Sequence, residues 1–409
     1  MSPSQNSHLT FKANMGVGRH GWLRLTPAYS VTLVRERVAH LPPKSVVTDP
    51  FSGTGTTPLA AAEHGHLGQA LDVNPFLVWL GTAKTTQYDE DSLGKTLAGV
   101  ADLTALARSV IHKRDLWQPN LYQIERWWSP SALNALKALR HAIDVLAPAG
   151  EPNSLYSIAL CRTLISASNA AFNHQSMSFK ANSNQPSLFD EDQAEVVIAT
   201  FARELETLVA SARINLAGTA RIIQGDSRYM DESLEPCDLL LTSPPYVNRM
   251  SYIRELRPYM YWLRFLDAAA DAGELDWKAI GGTWGTATSR LNSWTPSLTG
   301  TPVDEEMSEI RSRIAADGGR NGPLLSNYVG KYFHDMWEHF QAARDYVKPG
   351  GVVSYIVGNS TFYGHIVPAQ EWYAVMLRSL GFEKVEVEVI RKRNSNKHLY
   401  EYEVRARRP

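Results

Sequence analysis

Two apolar patterns divide the chain. Short β-branched runs lie near its start and throughout its second half, while stretches with apolar residues every three or four positions fill the middle. Residues 45–72, SVVTDPFSGTGTTPLAAAEHGHLGQALD, read as a strand, a Gly/Ser/Thr turn, an Ala-rich helix, a glycine break and a second strand ending in an acid. That unit opens a doubly wound α/β sheet. Beyond residue 219 come ARIIQGD (220–226), CDLLLTSPPY (237–246), GGVVSYIVGN (350–359), FEKVEVEVI (382–390) and YEVRAR (402–407), each short and β-rich. Helical segments such as KYFHDMWEHFQAARDYV and PAQEWYAVMLRSLGF separate the later runs, so the pattern predicts seven strands.

From about 84 to 217 the pattern is helical, as in SPSALNALKALRHAIDVL, where Ser129 is the expected N-cap and Pro130 the first helical residue. The polar stretch Lys180 to Gln193 reads as an exposed loop. A second, mixed insertion spans about 247–330, with GGTWGTATS and AADGGRNGP as expected loops. The sheet is thus assembled from 1–83, 218–246 and 331–409, a Rossmann-like catalytic domain interrupted by a helical insertion and a smaller mixed one.

Composition changes little: 44% apolar, 20% charged and a net charge of −1 are ordinary for a globular protein. A nucleic-acid partner would therefore meet a local basic surface rather than a global field. No signal-peptide layout and no bilayer-length apolar run is present, so a soluble, cytoplasmic protein without membrane partner is expected. Cys161 and Cys237 offer neither a disulfide framework nor metal-ligand spacing, so both are expected to be reduced and structural, with no metal.

The chemistry begins at DPFSGTGTT, Asp49 to Thr57: Asp49, Pro50, Phe51, Ser52, Gly53, Thr54, Gly55, Thr56 and Thr57. A dinucleotide loop carries a third glycine three residues on and faces a pyrophosphate; here that glycine is missing and the strand-end Asp49 would repel a phosphate. Asp72, in LDVNP with Val73 and Asn74, stands where a carboxylate accepts hydrogen bonds from ribose hydroxyls, and Asp226 can accept from an adenine amino group. Three carboxyl-end acids around a glycine turn fit a cationic adenosine ligand without phosphate, S-adenosyl-L-methionine. Each acid alone reads equally as a strand-end cap.

The chain here resembles the bacterial S-adenosylmethionine-dependent DNA amino-methyltransferases, especially those with DPFSGSGTT-like and TSPPY-like motifs. HGWLRLTPAYSVTLV (His20 to Val34) looks like that family's first cofactor segment, followed by DPFSGTGTT, LDVNP, GDS, TSPPY and VKPGG. The resemblance covers the sheet and the N-terminal segment, roughly half the chain. It implies a seven-stranded methyltransferase sheet and cofactor contacts from Thr26, Pro27 and Thr242. It further implies double-stranded DNA as partner, and a companion restriction or defence system.

Ser243, Pro244, Pro245 and Tyr246 carry the transfer chemistry. An exocyclic nucleobase amine is a poor nucleophile because its lone pair is delocalised into the ring. The Ser243 hydroxyl and the Pro244 carbonyl, the latter aimed by the following proline, would draw it toward tetrahedral geometry. Tyr246 offers a flat face for a base flipped from the duplex. Methylation at a ring carbon would need a cysteine nucleophile, but Cys237 lies at the wrong end of its strand. Serine before Pro-Pro is associated in the resembled family with cytosine N4, leaving adenine N6 as the second reading. RNA or protein-amide methylation, or a non-catalytic specificity subunit, are more remote.

After this corner, Arg249, Arg254, Arg257 and Arg264 are interleaved with Tyr252, Tyr259, Tyr261 and Trp262 against the single acid Glu255. Arg249, Tyr252, Arg254 and Arg257 suit contact with a DNA backbone and with the gap a flipped base leaves. An amphipathic helix with core aromatics and solvated arginines reads the same residues as well. The tail reads as a hairpin at the sheet edge, and Arg126-Trp127-Trp128 as packing.

Overall fold

The computed structural model describes residues 9, 11–24, 29–171, 178–179, 190–283, 285–296, 300–393 and 398–409. Its centre is a sheet of seven strands: β1 (Val46–Asp49), β2 (Leu67–Asp72), β3 (Thr219–Gln224), β4 (Cys237–Thr242), β5 (Val347–Gly358), β6 (Glu383–Lys392) and β7 (Tyr400–Arg407). In space they run β6-β7-β5-β4-β1-β2-β3. The pairs β3-β2, β2-β1, β1-β4 and β4-β5 are parallel, and β7 is antiparallel to both β5 and β6. This is the doubly wound, seven-stranded methyltransferase-type sheet expected from the sequence. Chain direction across the sheet reverses between β1 and β4, and in open α/β sheets ligands bind beyond the carboxyl ends at such a point.

The inner strands β1 and β4 are covered on both faces, which explains why they are nearly continuously buried, whereas the outer β6 alternates and stays largely exposed. Val47, Leu239 and Leu241 pack under α1 (Val31–Val38) and α2 (Thr56–Glu63). Val46, Leu240, Val353 and Tyr355 face the opposite way, into a core with α11 (Gly322–Tyr346) and α12 (Ala369–Ser379). The pleat sends neighbours to opposite faces, and helices wait on each.

The helical insertion holds α4 (Glu90–Val110), α5 (Pro130–Leu146), α6 (Glu151–Ser166) and α7 (Asp190–Ala212). Ser129 caps α5 by accepting from the Ala132 amide, and Pro130 opens it. Its core is shared: one cluster joins these helices to α3 (Pro75–Thr85) and to α8 (Tyr252–Trp262). Trp128 is fully buried there, its indole donating to the Leu164 carbonyl at 2.9 Å, so the Arg-Trp-Trp segment is packing as expected.

After α8 the described residues of 247–330 form α9 (Ala269–Lys278), the short helix Thr286–Asn292, α10 (Asp304–Asp317) and the start of α11. The loop expected at AADGGRNGP shrinks to a turn at 318–321, because Pro323 sits in the first turn of α11 where its missing N–H costs nothing. Of the loop expected over Lys180 to Gln193, residues 180–189 lie outside the described residues, and α7 already runs from Asp190. The tail forms the expected hairpin, with β6 as the outer strand. Its arginines are engaged: Arg391 bonds Glu401 and Arg407 donates to the Gly350 carbonyl.

Candidate functional site

A cavity of about 120 Å³ opens where the carboxyl ends of β1, β2, β3 and β4 converge. Pro50, Phe51, Ser52, Gly53, Thr54 and Thr56 line it from the β1 loop, Asp72, Val73 and Asn74 from β2, Asp226 from β3, and Ser243 and Pro245 from β4. Four stretches scattered over almost two hundred residues therefore meet in one place.

The loop is shaped by its glycines. Gly53 and Gly55 have φ of 50° and 73°, the left-handed region that other residues enter at a cost. A Cβ on Gly55 would also stand 3.1 Å from the Gly81 Cα of α3. The close helix approach that a third glycine supplies in dinucleotide loops is made here with α3 instead.

Asp72 staples that loop to β2. Its two carboxylate oxygens accept from the Gly53 and Asn74 amides, each at 2.9 Å, and the Ser52 amide donates to the Leu71 carbonyl at 2.8 Å. Burial raises its pKa to about 7 against the pull of those two amides, with nearby Asp49 adding to the rise. Each oxygen keeps a free acceptor site, enough for a ribose diol. Behind the loop, fully buried Lys84 donates to the Thr54 carbonyl at 2.8 Å and the His20 carbonyl at 3.4 Å; burial lowers its pKa to about 7.

Asp49 stands outside the lining. It is fully buried and accepts from the Thr242 hydroxyl at 2.6 Å, the Phe51 amide at 3.0 Å and the Tyr29 hydroxyl at 3.4 Å. Burial raises its pKa and those donors oppose the rise. The geometry makes Asp49 and Thr242 the clamp that fixes the start of the loop against β4. Gly55 and Thr57 also lie behind the wall, where Thr57 bonds the Tyr29 hydroxyl and the Leu241 carbonyl. Thr26 and Pro27 fall outside the described residues, but Tyr29 from the same segment lines the cavity.

Asp226 lies on the wall with its carboxylate gripped by Arg228, at nitrogen–oxygen distances of 2.6, 3.0 and 3.2 Å. Burial works to raise its pKa, but Arg228 outweighs it and holds the carboxyl below its ordinary value. The next residue, Ser227, is held from below by buried His339. That imidazole contacts the Ser227 carbonyl at 3.0 Å and the Tyr355 hydroxyl at 2.9 Å, and burial lowers its pKa to about 4.

At the β4 corner, the Pro245 carbonyl accepts from the Tyr332 hydroxyl at 2.7 Å, and that hydroxyl is 2.7 Å from Tyr373's. Among the described residues no donor reaches the Pro244 carbonyl. Tyr246 stands outside the lining: its hydroxyl donates to Glu401 at 2.7 Å, and its ring lies under the Arg393 guanidinium, 5.6 Å away. On this side of the cavity the wall carries the Tyr252 ring, with Tyr29 and Phe51 lining it elsewhere; the Tyr252 hydroxyl accepts from the Tyr246 amide at 3.3 Å.

Tyr252 thus belongs to the wall, and α8 is the amphipathic helix of the second reading in its aromatics: Tyr259, Tyr261 and Trp262 are buried, 3%, 4% and 0% exposed. Phe76 stacks on Tyr259 at 5.7 Å, and this packing leaves those rings no free face for a base. Arg254 and Arg257 are half-buried and Arg249 is exposed; none of the three lines the cavity. Burial, with Arg254 adding to it, lowers the Arg257 pKa.

No family model matches the chain, and no curated protein does. Two solved structures of an rRNA methyltransferase, aviRa from Streptomyces viridochromogenes, are 12% identical to it. Each comparison covers 99% of this chain and 93% of theirs, with TM-scores of 0.29 and 0.28. At those scores the likeness adds nothing to the strand order already described.

Several wall residues carried no signal in the sequence. Leu77, Ile280 and Lys278 come from helix and loop positions whose place over the sheet edge no local pattern encodes. Glu255 was visible only as the lone acid in an arginine-rich helix, yet it lines the cavity and is 8% exposed. Cys161 and Cys237 are free and buried, as expected; burial pushes the Cys237 thiol up to about 12. Among the described residues no group of three His, Cys, Asp or Glu could hold a metal ion, and no helix is long and apolar enough to cross a membrane.

Proposed function

We propose that this protein transfers a methyl group from S-adenosyl-L-methionine to the exocyclic amine of a nucleobase flipped from double-stranded DNA, cytosine N4 first and adenine N6 second. The observation that carries the reading is the meeting of the Gly53 turn, Asp72, Asp226 and the Ser243–Pro245 corner in one cavity at the reversal point of the sheet. The Gly53 turn presents no phosphate-binding third glycine, and Asp72 has acceptor capacity left for a ribose. Asp226, its carboxylate fixed by the backbone amide and guanidinium of Arg228, faces the same cavity from the β3 side, where the adenosine end of the cofactor is assigned. Ser243 faces the same cavity and its hydroxyl oxygen is one of the two acceptors that a planar amine needs; Pro244 is buried beside it, outside the lining, and its unengaged carbonyl is assigned as the second. Tyr252 replaces Tyr246 as the ring available for stacking on the base.

Transfer of labelled methyl groups from the cofactor to unmethylated duplex DNA, followed by nucleoside analysis, tests the reading. N4-methylcytosine is the expected product and N6-methyladenine the second. Transfer confined to RNA or protein, or no cofactor binding in a calorimetric titration, would overturn it.

A further inference from the structure

Glu255 is the one cavity-lining acid besides Asp72 and Asp226, and it differs from both. Asp72 and Asp226 are tied by backbone amides or by Arg228. Among the described residues neither hydrogen bond nor ion pair reaches the Glu255 carboxylate, although the residue is only 8% exposed. The side chain is largely buried while its carboxylate opens on the cavity without such a partner, so it is placed to receive a group that enters there.

Its place on α8 says what enters. Tyr252 lies one turn earlier on the same face, where side chains at this spacing stand about 5–6 Å apart, and it holds the Tyr246 amide at the end of the Ser-Pro-Pro-Tyr corner. One turn later Tyr259 stacks on Phe76, and Met260 meets the Asn74 amide nitrogen at 3.7 Å beside the ribose-side acid. So α8 spans from the transfer corner to the cofactor strand, with Glu255 between.

We propose that the Glu255 carboxylate accepts the hydrogen bond, and then the proton, of the amine that receives the methyl group. The inference rests on the reading of the cavity as an amine methyltransferase site. The nitrogen lone pair forms the new N–C bond while the C–S bond breaks and its electron pair returns to sulfur. The methylated nitrogen, now cationic, gives an N–H proton to Glu255; amine and acid are both left neutral, and the acid returns its proton to water when product leaves.

Burial sets Glu255's pKa above the ordinary carboxylate value, with Arg254 and Arg257 opposing the rise. The other titratable groups on the cavity walls are Tyr29, Asp72, Asp226, Tyr252 and Lys278. Asp72 faces the cofactor, so saturating cofactor removes its titration from the transfer step.

The test uses the full-length protein, unmethylated duplex DNA and saturating S-adenosylmethionine, with single-turnover transfer followed across the acidic and neutral range. Glu255→Gln should bind cofactor within about twofold of wild type, lose about 10²-fold in transfer rate, and lose the fall in rate at low pH. A rate unchanged by Glu255→Gln, or a loss accounted for wholly by weaker cofactor binding, overturns the proposal. Glu255→Asp keeps the acid on a shorter stem and covers the case in which Glu255→Gln does not fold. A displaced acidic limb in that variant supports the assignment and an unchanged pH profile overturns it. If wild type binds cofactor but methylates no amine, the reading of the function fails and takes this inference with it; wild-type activity with an indifferent Glu255→Gln sinks the inference alone.

Discussion

At the scale of single residues, Asp72 and Ser243 separate the two halves of the reaction. Asp72→Ala removes the acceptor that also positions the Gly53 amide. Cofactor affinity should fall by at least tenfold in a calorimetric titration, about 1.4 kcal/mol. Ser243→Ala should leave that affinity intact and slow transfer; equal losses of affinity in both variants would mean the two subsites are misplaced. The raised pKa of Asp72 adds a pH dependence with a definite sign. Ribose hydroxyls favour the ionised carboxylate, so below the value of about 7 binding must expel a proton. Cofactor affinity should therefore climb by about tenfold per pH unit up to neutrality and level off above it, and Asp72→Asn should flatten the curve. In the empty protein the same group acts oppositely: its native pKa exceeds the unfolded 3.8, so the stability it contributes is complete below 3.8 and lost as pH rises through about 7. Urea midpoints taken across that window check the slope. Asp72 and Ser243 could be named from sequence because each sits next to a local signal, a strand end or a Pro-Pro corner. Glu255 could not, because what matters about it is the absence of a partner, which only the folded packing reveals.

At the scale of elements, the strands and the main helices were legible because their signals are local: β-branched runs, a Ser-Pro helix start, glycines at turns. What stayed hidden is which element lies against which. The Tyr-rich α8 has the composition of a nucleic-acid face, and the buried Phe76 and Trp128 decide otherwise by packing on its Tyr259 and Trp262. In the same way Gly81 shows no motif, yet it is where α3 meets the cofactor loop, its Cα 3.1 Å from where a Cβ on Gly55 would stand; a Cβ on Gly81 itself would lie 2.7 Å from the Ile222 Cδ1 of β3. Gly55→Ala tests this contact from the other side. The left-handed backbone alone should cost about 1–2 kcal/mol, and the clash toward Gly81 adds to it, so the melting temperature should drop and cofactor affinity fall with it. An unaltered melting temperature would show that the loop relaxes freely away from α3.

At the scale of the whole molecule, the helical insertion and the cofactor side of the sheet share one apolar cluster through α3 and α8. Trp262 is fully buried in it, with ring centroids of Trp128 and Trp117 at 5.6 and 6.2 Å. Trp262→Ala should cost about 3–5 kcal/mol and loosen the helix that carries Tyr252 and Glu255, so calorimetry should find weaker cofactor binding in a variant mutated outside the cavity. Full cofactor affinity in a destabilised Trp262→Ala would mean that the insertion is energetically separate from the site.

The strand order has a consequence for synthesis. The Val46 amide of β1 is held by the Asp238 carboxylate, 192 residues further along, and β4 begins only there. At about 5–20 residues per second a ribosome needs roughly 10–40 s to deliver that partner. For that time VVTD and LGQALD are apolar strands with open edges, able to pair with the same segments of neighbouring nascent chains. Slower initiation, which spaces those chains apart, should raise the soluble fraction more than slower elongation, which lengthens the exposure of each.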